Sequence, residues 1–271
     1  MSAEVGLGFF SFTEVTDPSE HPAYNEWHQL DHLPQQYEIP GIVFGQRWAS
    51  PPPCTNSRPF EGDLLQRVHY VTLYLMSSPV DATLDRFVEL AGSLRSKGRF
   101  FEHRKARLSG PFEVCGTAVA ERALVSADVV PFRPNRGVYV IVEDLESSGR
   151  TGGRTGDRTG DRTGEPSGER TGERIGETER WRDRAERLVG HRAVAGTWTF
   201  DSSRMRQRPR WQPGRRRVTV CYLDQPPMAV AAELGDLVRE LWSDADEPEL
   251  AGPFETITPW EWDWDWDSGS A

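Results

Sequence analysis

The sequence predicts an α+β protein of two tandem βαββαβ units, whose antiparallel sheets pack face to face as an α+β barrel. Strand-like and helix-like segments follow in the same order in both halves. Two stretches recur at equivalent places: "LSGPFEV" (108–114) matches "LAGPFET" (250–256), and "VTLYL" (71–75) matches "VTVCY" (218–222). This order is the ferredoxin-like plan. Helices cover one face of such a sheet, so a second unit is expected to cover the other face and enclose a small-molecule pocket.

The first unit is predicted to span residues 1–130. Its strands are rich in Phe and Val, and its helices show apolar residues at helical spacing with prolines near their starts. The predicted elements are a strand at 6–15, a helix at 22–37, strands at 41–49 and 67–77, a helix at 79–97 and a strand within 111–127.

The second unit is predicted to span residues 131–271. Its elements are a strand at 137–145, a helix at 178–190, strands at 193–202 and 216–224, a helix at 227–242 and an extended segment at 253–267. Within it, residues 149–178 repeat an R-T-G-D/E unit with almost no apolar side chain. Such a tract buries too little surface to offset its ordering entropy, so a disordered insertion is expected.

The C-terminal stretch "WEWDWDWD" (260–267) alternates tryptophan with acidic residues. In a strand, this alternation places the tryptophans on one face and the acids on the other. We therefore predict that the tail extends the last strand and covers a sheet face or the pocket mouth, because a tryptophan face needs burial. Its acidic face could meet the arginines of 204–217. A partner-binding segment is the alternative.

The charge of the chain is unevenly distributed. The net charge is −10, and the residues from 244 onward contain nine acids and no Lys or Arg. Residues 203–217 carry seven arginines, a pattern that favours nucleic-acid binding. The overall acidity argues against a nucleic-acid surface, and solvent or the acidic tail is the expected neighbour of these arginines.

Several other classes of protein are disfavoured by the sequence. It contains no apolar run long enough for a membrane span and no signal-peptide pattern at its start. Its three widely spaced cysteines indicate neither a zinc knuckle nor a disulfide framework. We therefore expect a cytoplasmic protein, either a monomeric pseudo-dimer or a homodimer.

The segment "YNEWHQLDHLP" carries two histidines four residues apart. His28 and His32 share a helix face at this spacing. Histidine titrates near neutral pH, and a neighbouring carboxylate such as Asp31 orients the ring and raises its basicity. The pattern therefore favours acid/base chemistry. A metal site would need a third ligand, and the glutamate that follows the first histidine in zinc proteases is missing, so no metal site is predicted.

The longer segment "YNEWHQLDHLPQQYEIPGIVFGQRW" (24–48) resembles the dimeric α+β barrel superfamily, and within it the EthD-like members. The shared pattern is an aromatic-rich helix, an acidic residue followed by His-Leu-Pro, a Pro-Gly turn and a strand ending in Arg-aromatic. The second half lacks the His-Leu-Pro motif. The resemblance therefore implies a tandem single-chain pseudo-dimer with a polar site in one unit.

The resemblance also implies a function. An EthD-like small-molecule enzyme is expected, with acid/base or cofactor-free chemistry of the oxygenase, cyclase, decarboxylase or dehydratase type on an aromatic or polyketide-like compound. His32 corresponds to the general acid/base, with Asp31 as its orienter and His28 as a catalytic neighbour. The predicted substrate-binding residues are Tyr24, Trp27, Arg47, Trp48, His69 and Tyr74.

Two alternatives stay open at this level. One is a non-catalytic ligand-binding or accessory protein on the same scaffold. The other is a haem- or metal-binding member, in which a histidine is the axial ligand. No cofactor is predicted, because the chain has no dinucleotide-binding GxGxxG, no Walker A motif and no GxSxG elbow.

Overall fold

The computed structural model describes residues 4–146, 169–203, 211, 213–243 and 247–266, with the backbone alone for 169–179. Its strands are β1 (Val5–Val15), β2 (Ile42–Ala49), β3 (Phe60–Glu61), β4 (Tyr70–Ser77), β5 (Arg104–Val119), β6 (Gly137–Asp144), β7 (Val194–Asp201), β8 (Arg216–Leu223) and β9 (Leu250–Thr256). Its helices are α1 (His21–Trp27), α2 (Leu33–Gln36), α3 (Pro52–Asn56), α4 (Asp81–Ser96), α5 (Glu169–Gly190) and α6 (Pro227–Leu241), with a π-helical turn at His28–His32 between α1 and α2.

Eight antiparallel strands close into a barrel. They lie in the order β2-β4-β1-β5-β7-β8-β6-β9, and β9 pairs back to β2 through Trp48 with Thr256 and Ala49 with Glu255. In each unit the four strands lie in the order second, third, first, fourth, which is the ferredoxin-like arrangement. The predicted α+β barrel of two ferredoxin-like units is therefore confirmed.

The interior of the barrel is a packed aromatic and aliphatic core. Phe10 packs edge-to-face against Phe112 and Phe200, with ring centroids 5.4 and 4.9 Å apart. Trp48 and Phe254 are fully buried in the same cluster. These side chains fill the space in which the sequence led us to expect a pocket.

Helices cover the outer face of each sheet. In the first unit, Phe9, Tyr74 and Met76 point outward from β1 and β4 and meet Leu33 and Phe87 from the helices. In the second unit, the outward side chains of β6, β7, β8 and β9 pack against α5 and α6. None of the helices in the described residues has the length and hydrophobicity of a membrane span.

Some element boundaries differ from the predicted ones. The last strand of the first unit begins at Arg104 and ends at Val119, whereas the sequence predicts a strand within 111–127. Residues 149–168 of the predicted insertion lie outside the described residues, and the chain is helical from Glu169, earlier than position 178. The predicted domain boundary at 130/131 falls within the short 3-10 helix Ala127–Phe132 and stays a prediction.

The tryptophan tail does not extend the last strand, so that prediction is wrong. β9 ends at Thr256, and the chain turns at Trp260, whose φ is +70° and whose side chain is 71% exposed. After this turn, Trp262, Trp264 and Trp266 pack on the outer face of the first unit's sheet, in a cluster with Val15, Tyr24, Ala49, Tyr70 and Ile257. The tail therefore covers a sheet face, as expected, but it does so without forming a strand.

Candidate active site

A π-helical turn positions the two histidines. In a regular α-helix the ring of Pro34 would clash with the carbonyl of Leu30, and Pro34 has no N–H to donate. The wider turn removes this conflict, and the N–H of Leu33 reaches back five residues to the carbonyl of His28. Turns of this kind inside helices are frequent at functional sites. The imidazoles of His28 and His32 remain in contact, with ring centroids 5.0 Å apart.

Beneath the histidines, a row of polar side chains crosses the sheet. Arg47 on β2 pairs with Thr72 on β4, Thr72 pairs with Ser11 on β1, and Ser11 pairs with Ser109 on β5. Directly paired residues share a face, so all four side chains belong to the helix-covered side of the sheet. The Thr72 Oγ1 lies 3.5 Å from Nε2 of His28.

The second unit has a different row at the equivalent positions. Thr199 pairs with Thr219, Thr219 with Ile141, and Ile141 with Ala251. By the two recurring stretches, Thr219 corresponds to Thr72 and Ala251 to Ser109. Ile141 and Ala251 belong to the apolar core under α5 and α6. The fold therefore does not require polar residues at these positions.

A cavity of about 250 Å³ lies between the histidines and this row. Its polar lining comes from imidazoles, hydroxyls, an amide and two guanidinium groups, and its apolar lining is mainly aromatic. The lining residues are Phe9, Ser11, His28, His32, Gln36, Thr72, Tyr74, Phe87, Ala91, Arg95, Phe100, Arg104, Ala106, Ser109 and Trp211. None of these residues is acidic, and the volume suits a ligand of one or two rings.

Both histidines of the cavity are held neutral. His28 and His32 are 2% and 7% exposed. Burial, followed by the positive charges of Arg104 and Arg47, lowers the pKa of His32 to about 3. Burial, Arg47 and His32 itself lower the pKa of His28 well below its ordinary value. The buried Nδ1 atom of each ring has no hydrogen-bond partner among the described residues, so each imidazole retains an unused polar atom.

Five of the residues predicted from the sequence lie together at this site. His28, His32 and Tyr74 line the cavity. The indole of Trp27 stacks on the ring of His32, with centroids 4.6 Å apart and planes at 23°. Tyr24 contacts His28 edge-to-face at 5.8 Å.

Asp31 does not take the predicted position beside His32. Its carboxylate binds the guanidinium of Arg99 through both oxygens on the partly exposed side of the helix. Trp27 instead stacks on the ring of His32, and its Nε1 donates a 3.0 Å hydrogen bond to the Arg99 carbonyl. Trp27 rather than Asp31 is therefore the neighbour that contacts this ring.

Arg47, Trp48 and His69 lie outside the cavity wall. Arg47 is 2% exposed and donates from Nη2 to Oδ1 of Asn25 at 2.9 Å, so it is part of a buried network behind the wall. Trp48 points into the barrel interior. The His69 Nδ1 accepts the N–H of Val15 at 3.1 Å, near the tail. Their predicted substrate contacts have no counterpart in this geometry.

Several lining residues were not predicted. Thr72 could have been found, because it alternates with Tyr70 and Tyr74 on one strand and so shares their face. Ser109 and Arg104 could not, since the strand that carries them begins earlier than its sequence pattern indicates.

No protein-family model and no curated protein matches this chain. Solved structures do match over nearly its full length. A chlorite dismutase-like protein has 8% identity and a TM-score of 0.50, covering 94% of this chain and 96% of that chain. An anthrone oxidase-like protein has 9% identity and a TM-score of 0.50, covering 94% and 92%. A haem-binding protein from Thermus thermophilus has 12% identity and a TM-score of 0.46, covering 94% and 92%.

The chain shares the α+β barrel fold of the first two of these structures. Identities this low show the fold alone, because one fold hosts many unrelated activities. The function is therefore argued from the cavity itself.

Proposed function

We propose that the chain is a small-molecule enzyme of EthD-like type, which carries out acid/base chemistry on an aromatic or polyketide-like compound in the cavity under His28 and His32. One observation carries the proposal. Two neutral imidazoles and a row of hydroxyl side chains face an aromatic-walled cavity in one unit, whereas two of the four positions in the equivalent row of the other unit, Ile141 and Ala251, are apolar. A polar lining that the fold does not require indicates a role in ligand chemistry.

The proposed roles follow from the side chains. His32 is neutral at physiological pH and so can accept a proton from a substrate O–H or C–H. Trp27 fixes its ring by stacking. The hydroxyls of Thr72, Ser109 and Tyr74 line the cavity and can donate hydrogen bonds to an oxygen that gains negative charge. These groups suit proton transfer in a cofactor-free oxygenation, cyclisation, decarboxylation or dehydration.

Haem is a further candidate, because the sequence leaves a haem-binding member open. The cavity does not fit it as it stands: about 250 Å³ is less than a drug-sized ligand occupies, and a tetrapyrrole macrocycle is larger. No step is therefore assigned to haem. Nor do three His, Cys, Asp or Glu side chains of the described residues cluster as metal ligands.

A non-catalytic ligand-binding protein is the second candidate function. The observation that favours it is the low basicity of His32, since a base works best when its pKa lies near the operating pH. In this case the chain would bind aromatic compounds in the same cavity without converting them.

Turnover by a His32→Ala variant tests the proposal. Aromatic and polyketide-like compounds are first screened for conversion by the wild type with mass spectrometry. The variant is expected to lose turnover of the converted compound at least about a hundredfold while keeping the wild-type melting temperature. His103→Ala is the matched control, because His103 is exposed and does not line the cavity.

Wild-type turnover by His32→Ala would contradict the proposed role of this residue. Binding of a compound by the wild type without conversion would instead favour the ligand-binding candidate.

We also infer that the two units, residues 1–130 and 131–271, descend from a duplication. Two observations support this. The strand order is the same in both units, and Thr72 and Thr219 each pair with the first strand of their own unit. The barrel closes within one chain, which supports the monomeric pseudo-dimer over the homodimer.

A further inference from the structure

The mouth of the cavity carries two arginines without carboxylate partners. The guanidinium carbons of Arg95 and Arg104 lie 4.5 and 5.0 Å from the ring centroid of Phe100. Arg104 also lies 5.7 Å from the ring centroid of Trp27. Within the part of the chain that the structure describes, neither guanidinium has a carboxylate oxygen within 4.0 Å. Aromatic faces hold these cations but leave their hydrogen-bond donors free for a ligand.

Neighbouring arginines are neutralised. Arg99 binds the carboxylate of Asp31, and Arg107 binds that of Glu14. The chain is acidic and rich in carboxylates, yet the two arginines at the cavity mouth have no carboxylate partner among the described residues. An anion in the inner cavity would meet positive charge and no acidic lining residue, and on the outer side Glu102 lines the adjoining space together with the two arginines.

A second cavity adjoins the first at this point. It has a volume of about 430 Å³ and shares Arg95, Phe100, Arg104 and Ala106 with the inner cavity. A ligand with its ring in the inner cavity can therefore place a substituent between the two arginines without burying it.

We propose that the substrate is an aromatic carboxylate, whose ring lies beside His28 and His32 and whose carboxylate binds Arg104, with Arg95 as a second donor. This inference rests on the proposed function and names its substrate class. Arg104 is intermediate in exposure and lines both cavities, so its guanidinium can bind a carboxylate through two parallel hydrogen bonds.

Binding at Arg104 would also act on the base. The charge of Arg104 is the largest charge effect that lowers the pKa of His32. A bound carboxylate offsets that charge, which raises the basicity of His32 when the substrate is present. Recognition and proton transfer are thereby coupled.

Equilibrium binding of 2-naphthoate and of its uncharged analogue 2-naphthamide tests the inference. The two compounds have nearly the same shape, so their affinities differ through charge. Wild type is expected to prefer the carboxylate by about tenfold or more, since a charge-assisted hydrogen bond has that strength. Arg104→Gln should lose this preference, and Arg104→Lys should keep part of it.

Arg107→Gln is the matched control, because Arg107 lies on the same strand and is already bound to Glu14. It should retain the wild-type preference. Equal affinities of the wild type for the two compounds, equal loss in both glutamine variants, or failure of one- and two-ring carboxylates to bind at all would overturn the inference. Equal affinities would leave the turnover test of His32→Ala unaffected, so the two failures are distinguishable.

Discussion

His28 and His32 owe their neutral state to where the fold places them. Both lie in the helix–sheet interface, and the nearby cations Arg47 and Arg104 disfavour protonation further. Spacing along the helix predicts that the two rings share a face. The sequence alone could not predict the low pKa values, because they depend on burial and on strand pairing that brings Arg104 of β5, far away along the chain, to the same site as Arg47 of β2.

Four buried histidines should make the protein sensitive to mild acid. Burial lowers the pKa of His21 to about 3, that of His32 to about 3 and that of His69 to about 4, and it lowers that of His28 well below 6.5. In the unfolded chain these groups bind protons below about pH 6.5. Stability is therefore full above pH 6.5 and falls as the pH drops toward the folded-state pKa values, by up to ~1.4 kcal/mol per pH unit for each histidine.

Urea unfolding at several pH values between about 7.5 and 5 measures this slope. His21→Gln should reduce the pH dependence of the free energy of unfolding by the contribution of one histidine. His103→Gln, at an exposed position, serves as the control and should leave the slope unchanged. A free energy of unfolding that is flat between about pH 7.5 and pH 5 would contradict the burial of neutral histidines.

The sequence predicts which segments form helices and strands better than it predicts the geometry within each element. A helix at 22–37 is predicted, and Pro34 lies within it. In the structure the helix continues past Pro34 by widening at His28–His32. The local sequence pattern does not show whether a helix ends at a proline or widens into a π-helical turn before it. Packing of the helix on the sheet decides between the two.

The polar row under the histidines can likewise be predicted only in part from the sequence. Alternation along β4 places Thr72 between Tyr70 and Tyr74, so that part of the site is readable from one strand. The alignment of Thr72 with Ser11 and Ser109 depends on register between strands, which single segments do not determine.

The tail is an element whose removal should destabilise the fold. Trp266 stacks on His21 with ring centroids 3.7 Å apart and planes at 1°, and His21 in turn shares a 2.8 Å hydrogen bond with the hydroxyl of Tyr70. Deleting residues 259–271 removes this stack together with Trp262 and Trp264. We expect a loss of about 3 kcal/mol, measured by thermal or urea unfolding.

Deletion of residues 267–271 alone is the matched control, because it keeps all four tryptophans. A stable fold after the longer deletion, combined with loss of a protein partner, would instead support the interpretation of the tail as a partner-binding segment.

For the whole molecule, the order of elements and the two recurring stretches are enough to predict the barrel. They are not enough to place the cavity. Aromatic side chains occupy both faces of β1, with Phe10 and Phe12 in the interior and Phe9 facing the helices. Closure of the barrel determines which of the two faces becomes the core. The sequence alone therefore leads us to expect the pocket in the barrel interior, whereas in the structure the cavity lies under the helices.

The two units also differ in how they use the space under their helices. In the second unit Trp181 and Trp242 are 7% and 3% exposed, and Trp242 donates from Nε1 to Glu143 at 3.0 Å. Arg184 lies 4.1 Å from the ring centroid of Trp242. Large side chains thus occupy the second unit's helix–sheet interface, while the first unit keeps a cavity with polar lining. This asymmetry supports the first unit as the place of the proposed chemistry.

Imidazole ¹⁵N resonances measured by NMR show whether His28 and His32 are neutral and line a ligand cavity. Spectra are recorded from about pH 8 to pH 5, with and without 2-naphthoate, and assigned with His28→Gln and His32→Gln. We expect both rings to stay neutral throughout this range in the free protein, and we expect 2-naphthoate to shift both resonances. Titration of both rings near pH 6.5, with no response to the compound, would contradict it.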